Sequence, residues 1–308
     1  MRKVTPQDHQ AALSSYLLLP GNPMLSFRSH CVFVWALLFA GLGSQLYASD
    51  NKLSANELMQ RVFDNEIKAQ EQDQSHWKYR SVSRASGKEY TTQVIETRQG
   101  SVDAVIAVDG HPLSSAERKK QEERIQKLAD SPDAQRKQRH DSQQDAEKTK
   151  RLLKAFPRAV IASYGQQQGD LTELDFKPNP NFRPSSREEQ VLGALAGKIW
   201  VNNKEDRLAQ IEGQLTQTIK FGGGLLGHLD KGGEFNVKQT EVAPGFWELS
   251  AMHIEITGKA LFFKTISVHE DEARSNFQPV SDNVTLAQAA EELRRHLATT
   301  TAIIASFD

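Results

Sequence analysis

The sequence predicts an α+β fold built on one large antiparallel sheet. Three observations lead there. In "RLAQIEGQLTQTIKF", Ala209, Ile211, Gly213, Leu215, Ile219 and Phe221 share one parity, and Gln210, Glu212, Gln214, Thr216, Thr218 and Lys220 share the other. Side chains alternate faces along a strand, so this period of two means one dry and one wet face, and such alternation favours antiparallel pairing. Strand-like segments outnumber helical ones and mostly follow one another in the chain, as sequential antiparallel neighbours do. The segments after this one are separated by Gly222, Gly223 and Gly224, by Gly232 and Gly233, by Pro244 and Gly245, and by Gly258. Glycine and proline supply the backbone angles that turns require.

The first residues read as an export signal. Residues 31–42 form an apolar run of roughly a dozen, preceded by Arg28 and followed by "SQLYASD". That run falls short of the ~20 residues of a membrane span and has the basic flank, apolar core and small residue of a secretory signal. Cleavage is expected after Ala48, giving a signal over residues 1–48 and one domain over residues 49–308. Initiation at Met24 would give the signal a more usual length. Cys31 is the sole cysteine and lies within the run, so the exported chain would hold no disulfide or thiol chemistry. Localisation in the periplasm or cell envelope follows.

A helix is expected from Ser54, whose spacing to Glu57 is that of a capping box. Leu58, Met59, Val62, Phe63 and Ile67 form its apolar stripe. Three strands follow in "HWKYRSVSR", "KEYTTQVIETRQ" and "SVDAVIAVDG". Residues 114–156 are a polar helical excursion, opened by a second capping box at Ser114 and Glu117 and broken at Pro132. It is either a solvated digression or an arm for a lid or partner. "RAVIASYG" and "DLTELDFKP" return to strand character, and "KPNPNFRPSS" is a loop. A short helix is expected over 187–196 with Gly197 as its terminal glycine. Strands then read through "KIWVNNKED", the segment quoted first, "GEFNVKQTEV", "GFWELSAMHIEIT" and "KALFFKTISVH". The closing helix carries Leu286, Ala289, Ala290, Leu293 and Leu297 on one side.

Chemistry is harder to find. Formal net charge over 308 residues is −1, which argues against nucleic acid as a partner. No G-x-S-x-G elbow or phosphate-binding glycine motif occurs; "FGGGLLG" reads as a turn. His253 and Glu255 share a strand face, and His269-Glu270-Asp271-Glu272 forms an acidic patch, but neither has a metal-ligand spacing, so no metal, cofactor or catalytic residue is assigned. Trp77, Tyr79, Trp200, Phe221, Phe235, Phe246, Trp247, Phe262 and Phe263 lie in strands, where they form core or line a cavity.

The segments "VDGHPLSSAERKKQEERIQKL", "DFKPNPNFRP", "VLGALAGKIWVN" and "FGGGLLGHLDKGGEFNVKQTEVAPGFWELS" resemble a family of exported bacterial proteins. The family pattern runs "dG.PL", a charged helix, "f.P.p.f", "l.G.iW.d", "fG.Gll..l.kGs.f...q" and "g.W.p", over residues 76–277. Asn202 stands where an acidic residue is common, and Glu248 where a proline is common. The signature brings no activity with it. The layout is more distantly similar to the lipoprotein-carrier superfamily. That likeness implies a strongly curved, open half-barrel sheet with helices on its concave side, and an apolar cavity for lipid or lipoprotein acyl chains. On this expectation Ile211, Leu215, Ile219, Phe221, Phe246, Ile254 and Ile256 line the cavity, and Leu58, Val62 and Phe63 belong to its lid. The expected function is a monomeric, non-enzymatic exported binding protein. An envelope protein-interaction module using the helical excursion and a hydrolase with an unrecognised site are the alternatives. A hydrolase would require convergent polar groups with shifted pKa values in the pocket.

Overall fold

The computed structural model describes residues 53–260 and 264–304. The expected signal, Met24, Cys31, Ala48, Phe262, Phe263 and the last residues of the chain lie outside the described residues. Helix α1 (Ala55–Gln72) leads into strands β1 (Trp77–Ala85), β2 (Lys88–Thr97), β3 (Gly100–Val108) and β4 (His111–Pro112). Helices α2 (Ser115–Asp130) and α3 (Pro132–Ala159) form the excursion, followed by β5 (Val160–Gln168), β6 (Leu171–Pro178) and the short α4 (Arg187–Leu192). Next come β7 (Leu195–Asn202), β8 (Arg207–Leu215), β9 (Ile219–Phe221) and β10 (Gly227–Leu229), and then β11 (Glu234–Ala243), β12 (Phe246–Ala260), β13 (Lys264–Pro279) and α5 (Leu286–Ile304). All thirteen strands join one antiparallel sheet in the order β4-β3-β2-β1-β13-β12-β11-β8-β7-β6-β5, with β10 pairing to β12 and β9 to β10. The path has two free ends, so the sheet is open.

Both capping boxes form. The Ser54 and Ser114 hydroxyls accept from the N–H groups of Glu57 and Glu117, whose carboxylates accept from the serine N–H in return. Two apolar clusters share the sheet. In the larger, Met59, Val62 and Phe63 of α1 and Phe156 of α3 pack on Leu174, Ile199, Leu215 and Ile254. In the smaller, Ile125 of α2 and Leu286, Ala289 and Leu293 of α5 pack on Ile95, Val102 and Ala104. Ile95 pairs with Lys78, whereas Tyr79 pairs with Val94, so Ile95 and Tyr79 face opposite ways. Helices α2 and α5 therefore cover the outer face near β2 and β3. The excursion is built into the core: Ile125 is fully buried, and Ala155 and Phe156 at the far end of α3 are buried.

Three segments differ from expectation. The helix at 187 ends at Leu192 with Gly193 as its cap, and Gly197 lies inside β7. Gly197 pairs with Gly213, and a Cβ on it would run into the Glu212 carbonyl, so close approach of two strands explains this glycine. The alternating segment stops at Leu215, whose N–H donates to the Gly233 carbonyl, and Ile219–Phe221 forms the separate β9. "KALFFKTISVH" is not one strand: Lys259 and Ala260 end β12, and Lys264 begins β13. The latter runs on through the acidic patch to Pro279, with charged residues on both of its faces. Glu270 and Glu272 share the face of Ile254 and Met252, while His269 and Asp271 share that of Glu255 and His253.

Candidate functional site

The inner face carries a cavity of about 1340 Å³. Its lining runs across the sheet from Glu96 on β2 to Leu195 on β7, with Phe63 of α1, Phe156 of α3 and Val191 of α4 over it. One continuous lining thus spans the neighbouring strands between β2 and β7 beneath these helices. The volume exceeds the roughly 300–1,000 Å³ usual for small-molecule sites.

The middle of the cavity is apolar. Ile211 and Leu215 of β8, Phe235 and Val237 of β11, and Ile254 and Ile256 of β12 all line it. Cross-strand register places them together: Ile211 pairs with Val237, and Ile254 with Phe235. Phe221 lines it as well. Ile219 is buried in the adjoining core and does not line the cavity. Phe246 is displaced by an irregularity between Lys238 and Gln239 that leaves Ser250 unpaired on β12. Its ring is 39% exposed and meets Trp77 edge-on at 6.0 Å. Of the expected lid residues, Phe63 lines the cavity and stacks on Phe156 at 4.8 Å, whereas Leu58 and Val62 are buried in the core behind it.

One end of the cavity is ionisable. Tyr79, Glu96, Glu248 and Arg274 all line it, from β1, β2, β12 and β13. Arg274 grips Glu272 with two donors, Nε to Oε1 at 2.7 Å and Nη2 to Oε2 at 3.1 Å, and lies 5.1 Å from the Tyr79 ring centroid. The Ser81 hydroxyl donates to Glu272 at 2.7 Å. Burial alone would raise the Glu272 pKa, but the Arg274 hydrogen bonds and charge, with Ser81, hold it below the usual carboxylate value. Glu96 accepts from the Trp77 N–H at 3.1 Å, yet burial outweighs that bond and raises its pKa. Glu248 is pushed up to about 8, first by burial and then by the charges of Glu96 and Asp73, with Arg274 and Arg207 offsetting part. Burial also raises the Tyr79 phenol. A second pair lies at this end: Arg207 donates to the buried Glu66 at 2.8 Å, and the Leu208 N–H donates to the same carboxylate at 2.9 Å. The amide oxygens of Gln70 and Gln138 are buried and meet no donor among the described residues; both side chains line the cavity.

Sequence reasoning missed this ionisable end. Its members stand far apart in the chain and meet only through the pairing of β13 with both β1 and β12. The available signal was the shared parity of Glu270, Glu272 and Arg274.

A separate group lies on the outer face. Glu234, His253 and Glu255 offer ligand atoms within 4.8 Å of one another. Glu234 pairs with Glu255 across β11 and β12, so strand register assembles them, and a local ligand spacing could not reveal it. His253 Nδ1 lies 2.6 Å from Asp271, leaving Nε2 toward Glu234 at 3.6 Å. The Asp271 hydrogen bond raises the His253 pKa. These residues could hold a divalent cation, although exposed carboxylates commonly cluster without one.

No protein-family model, curated protein or solved structure matches this chain.

Proposed function

We propose that the chain is an exported, non-enzymatic carrier that shelters an acyl chain in the inner cavity and holds the ligand's polar group at the ionisable end. The observation that carries this reading is the division of one large concave cavity into an apolar middle and a charged end. Each methylene moved from water onto Ile211, Val237 and Ile254 contributes about 0.8 kcal/mol, so a long chain binds without a charged anchor. Arg274, Tyr79 and the neutral carboxyl of Glu248 supply both donors and acceptors for a polar terminus.

Titration with a fluorescent fatty acid tests the reading. The wild-type chain should take up the probe with enhanced emission. Val237→Trp, which places an indole in the cavity, should weaken binding about tenfold, or about 1.4 kcal/mol, with the circular dichroism spectrum unchanged. No uptake by the wild type, or equal affinity in the variant, would contradict the proposal.

One observation favours a second reading, hydrolysis. Glu248 is a carboxyl group kept protonated near neutral pH beside a second carboxyl, Glu96, in a concave site. Such a group can donate a proton to a leaving group. This reading differs from carriage in requiring turnover of a bound ester.

A further inference from the structure

We propose that the β9–β10 tip is a docking surface for a membrane leaflet with anionic headgroups. Between these short strands the chain turns through Gly222, Gly223 and Gly224, all with positive φ (56°, 65° and 97°). The turn pushes two leucines into solvent: Leu225 is 66% and Leu226 47% exposed. They are the two most exposed large apolar side chains among the described residues, and they are adjacent at one tip.

Lysines flank them. Lys220 lies on β9, Lys259 pairs with His228 of β10, and Lys264 pairs with Ala260 at the neighbouring hairpin end. All three are exposed, and none has a carboxylate partner among the described residues. Exposed leucines at a tip whose neighbouring strand ends carry exposed lysines on both faces complement a leaflet surface: the leucines enter the headgroup–acyl boundary while the lysines meet anionic lipid. No helix among the described residues is long and apolar enough to cross a membrane.

The tip also forms one end of the cavity wall. Phe221, Leu226, Leu229 and Lys259 line the same cavity as Ile256. An apolar surface thus runs from the exposed leucines to the apolar middle, at the end of β12 away from Glu248. The docking inference deepens the carrier reading and rests on it for purpose: a carrier seated this way would pass an acyl chain between leaflet and cavity.

A probe at the tip tests it. Leu225→Cys in a Cys31→Ser background is labelled with a polarity-sensitive fluorophore, using the full chain. Vesicles of phosphatidylcholine with phosphatidylglycerol should blue-shift and brighten the label, and phosphatidylcholine alone should do so far less. Replacing Lys220, Lys259 and Lys264 together by serine should weaken the response to anionic vesicles about tenfold to a hundredfold. A label at Lys88, remote on β2, should not respond. An unchanged Leu225 signal with anionic vesicles would overturn the inference. So would an equal response in the triple-serine variant, or a shift that follows protein concentration without vesicles and so marks a contact between copies of the chain. Fatty-acid uptake is measured on the same samples without vesicles. Insertion without uptake removes the carrier reading and leaves docking standing; uptake without insertion removes docking alone.

Discussion

Arg274→Met should destabilise the protein by about 3–5 kcal/mol at neutral pH, read as a lower urea midpoint with an unchanged slope. Methionine keeps much of the volume but removes the cation. Glu272 then loses both guanidinium hydrogen bonds and keeps only the Ser81 hydroxyl. Glu96 and Glu248 lose the one positive charge that offsets both of them. Breaking a buried pair costs more than forming it contributes, because the partner stays buried and charged. The sign with pH follows. Without Arg274 the folded-state pKa of Glu272 rises, so the variant's deficit is greatest where the carboxylate is ionised and shrinks as acid neutralises it. A deficit that is small, or constant from pH 4 to 7, would show that Arg274 does not hold this group together.

Glu248→Gln should produce the second large effect, with a distinctive pH dependence. The folded-state pKa of Glu248 is about 8 against an ordinary 4.5. The folded protein therefore holds this proton more tightly than the unfolded chain does. The associated stability is fully present below pH 4.5 and is lost progressively as pH rises to about 8. Glutamine mimics the neutral carboxyl and does not titrate. The variant should match the wild type near pH 4.5 and exceed it at pH 9 by on the order of 2 kcal/mol, allowing for residual solvent contact. Thermal unfolding at several pH values measures the difference. Glu96 is coupled to Glu248 and shifted in the same direction, so the difference between wild type and variant reports the loss of Glu248 together with the relief of Glu96. Parallel curves for the two proteins would place Glu248 in water.

The same physics decides what the sequence can disclose. Alternation of one dry and one wet face is local, so Ile211 and Leu215, or Val102 and Ala104, announce their strands. Capping boxes at Ser54 and Ser114 are local too, and both form. Strand β13 was half hidden because its inward positions at Glu270, Glu272 and Arg274 are charged, and apolar patterning does not register an inward face made of charges. The ionisable end of the cavity was hidden for a different reason. Tyr79, Glu96, Glu248 and Arg274 meet only once β13 pairs with β1 on one side and β12 on the other, a connection that spans most of the chain. The outer cluster of Glu234, His253 and Glu255 likewise depends on register across β11 and β12. The cavity-lining set was partly legible, since Ile211, Leu215, Phe221, Ile254 and Ile256 follow parity; Phe246 departs because the irregularity at Ser250 resets it.

The central claim is that the inner cavity is a binding site for acyl chains rather than space belonging to the fold. Native mass spectrometry of the protein purified from its own envelope tests this most directly. The account predicts a mass above that of the polypeptide by one lipid-sized ligand, lost on mild activation and absent from Val237→Trp. A clean polypeptide mass that stays unchanged after incubation with fatty acid would contradict it.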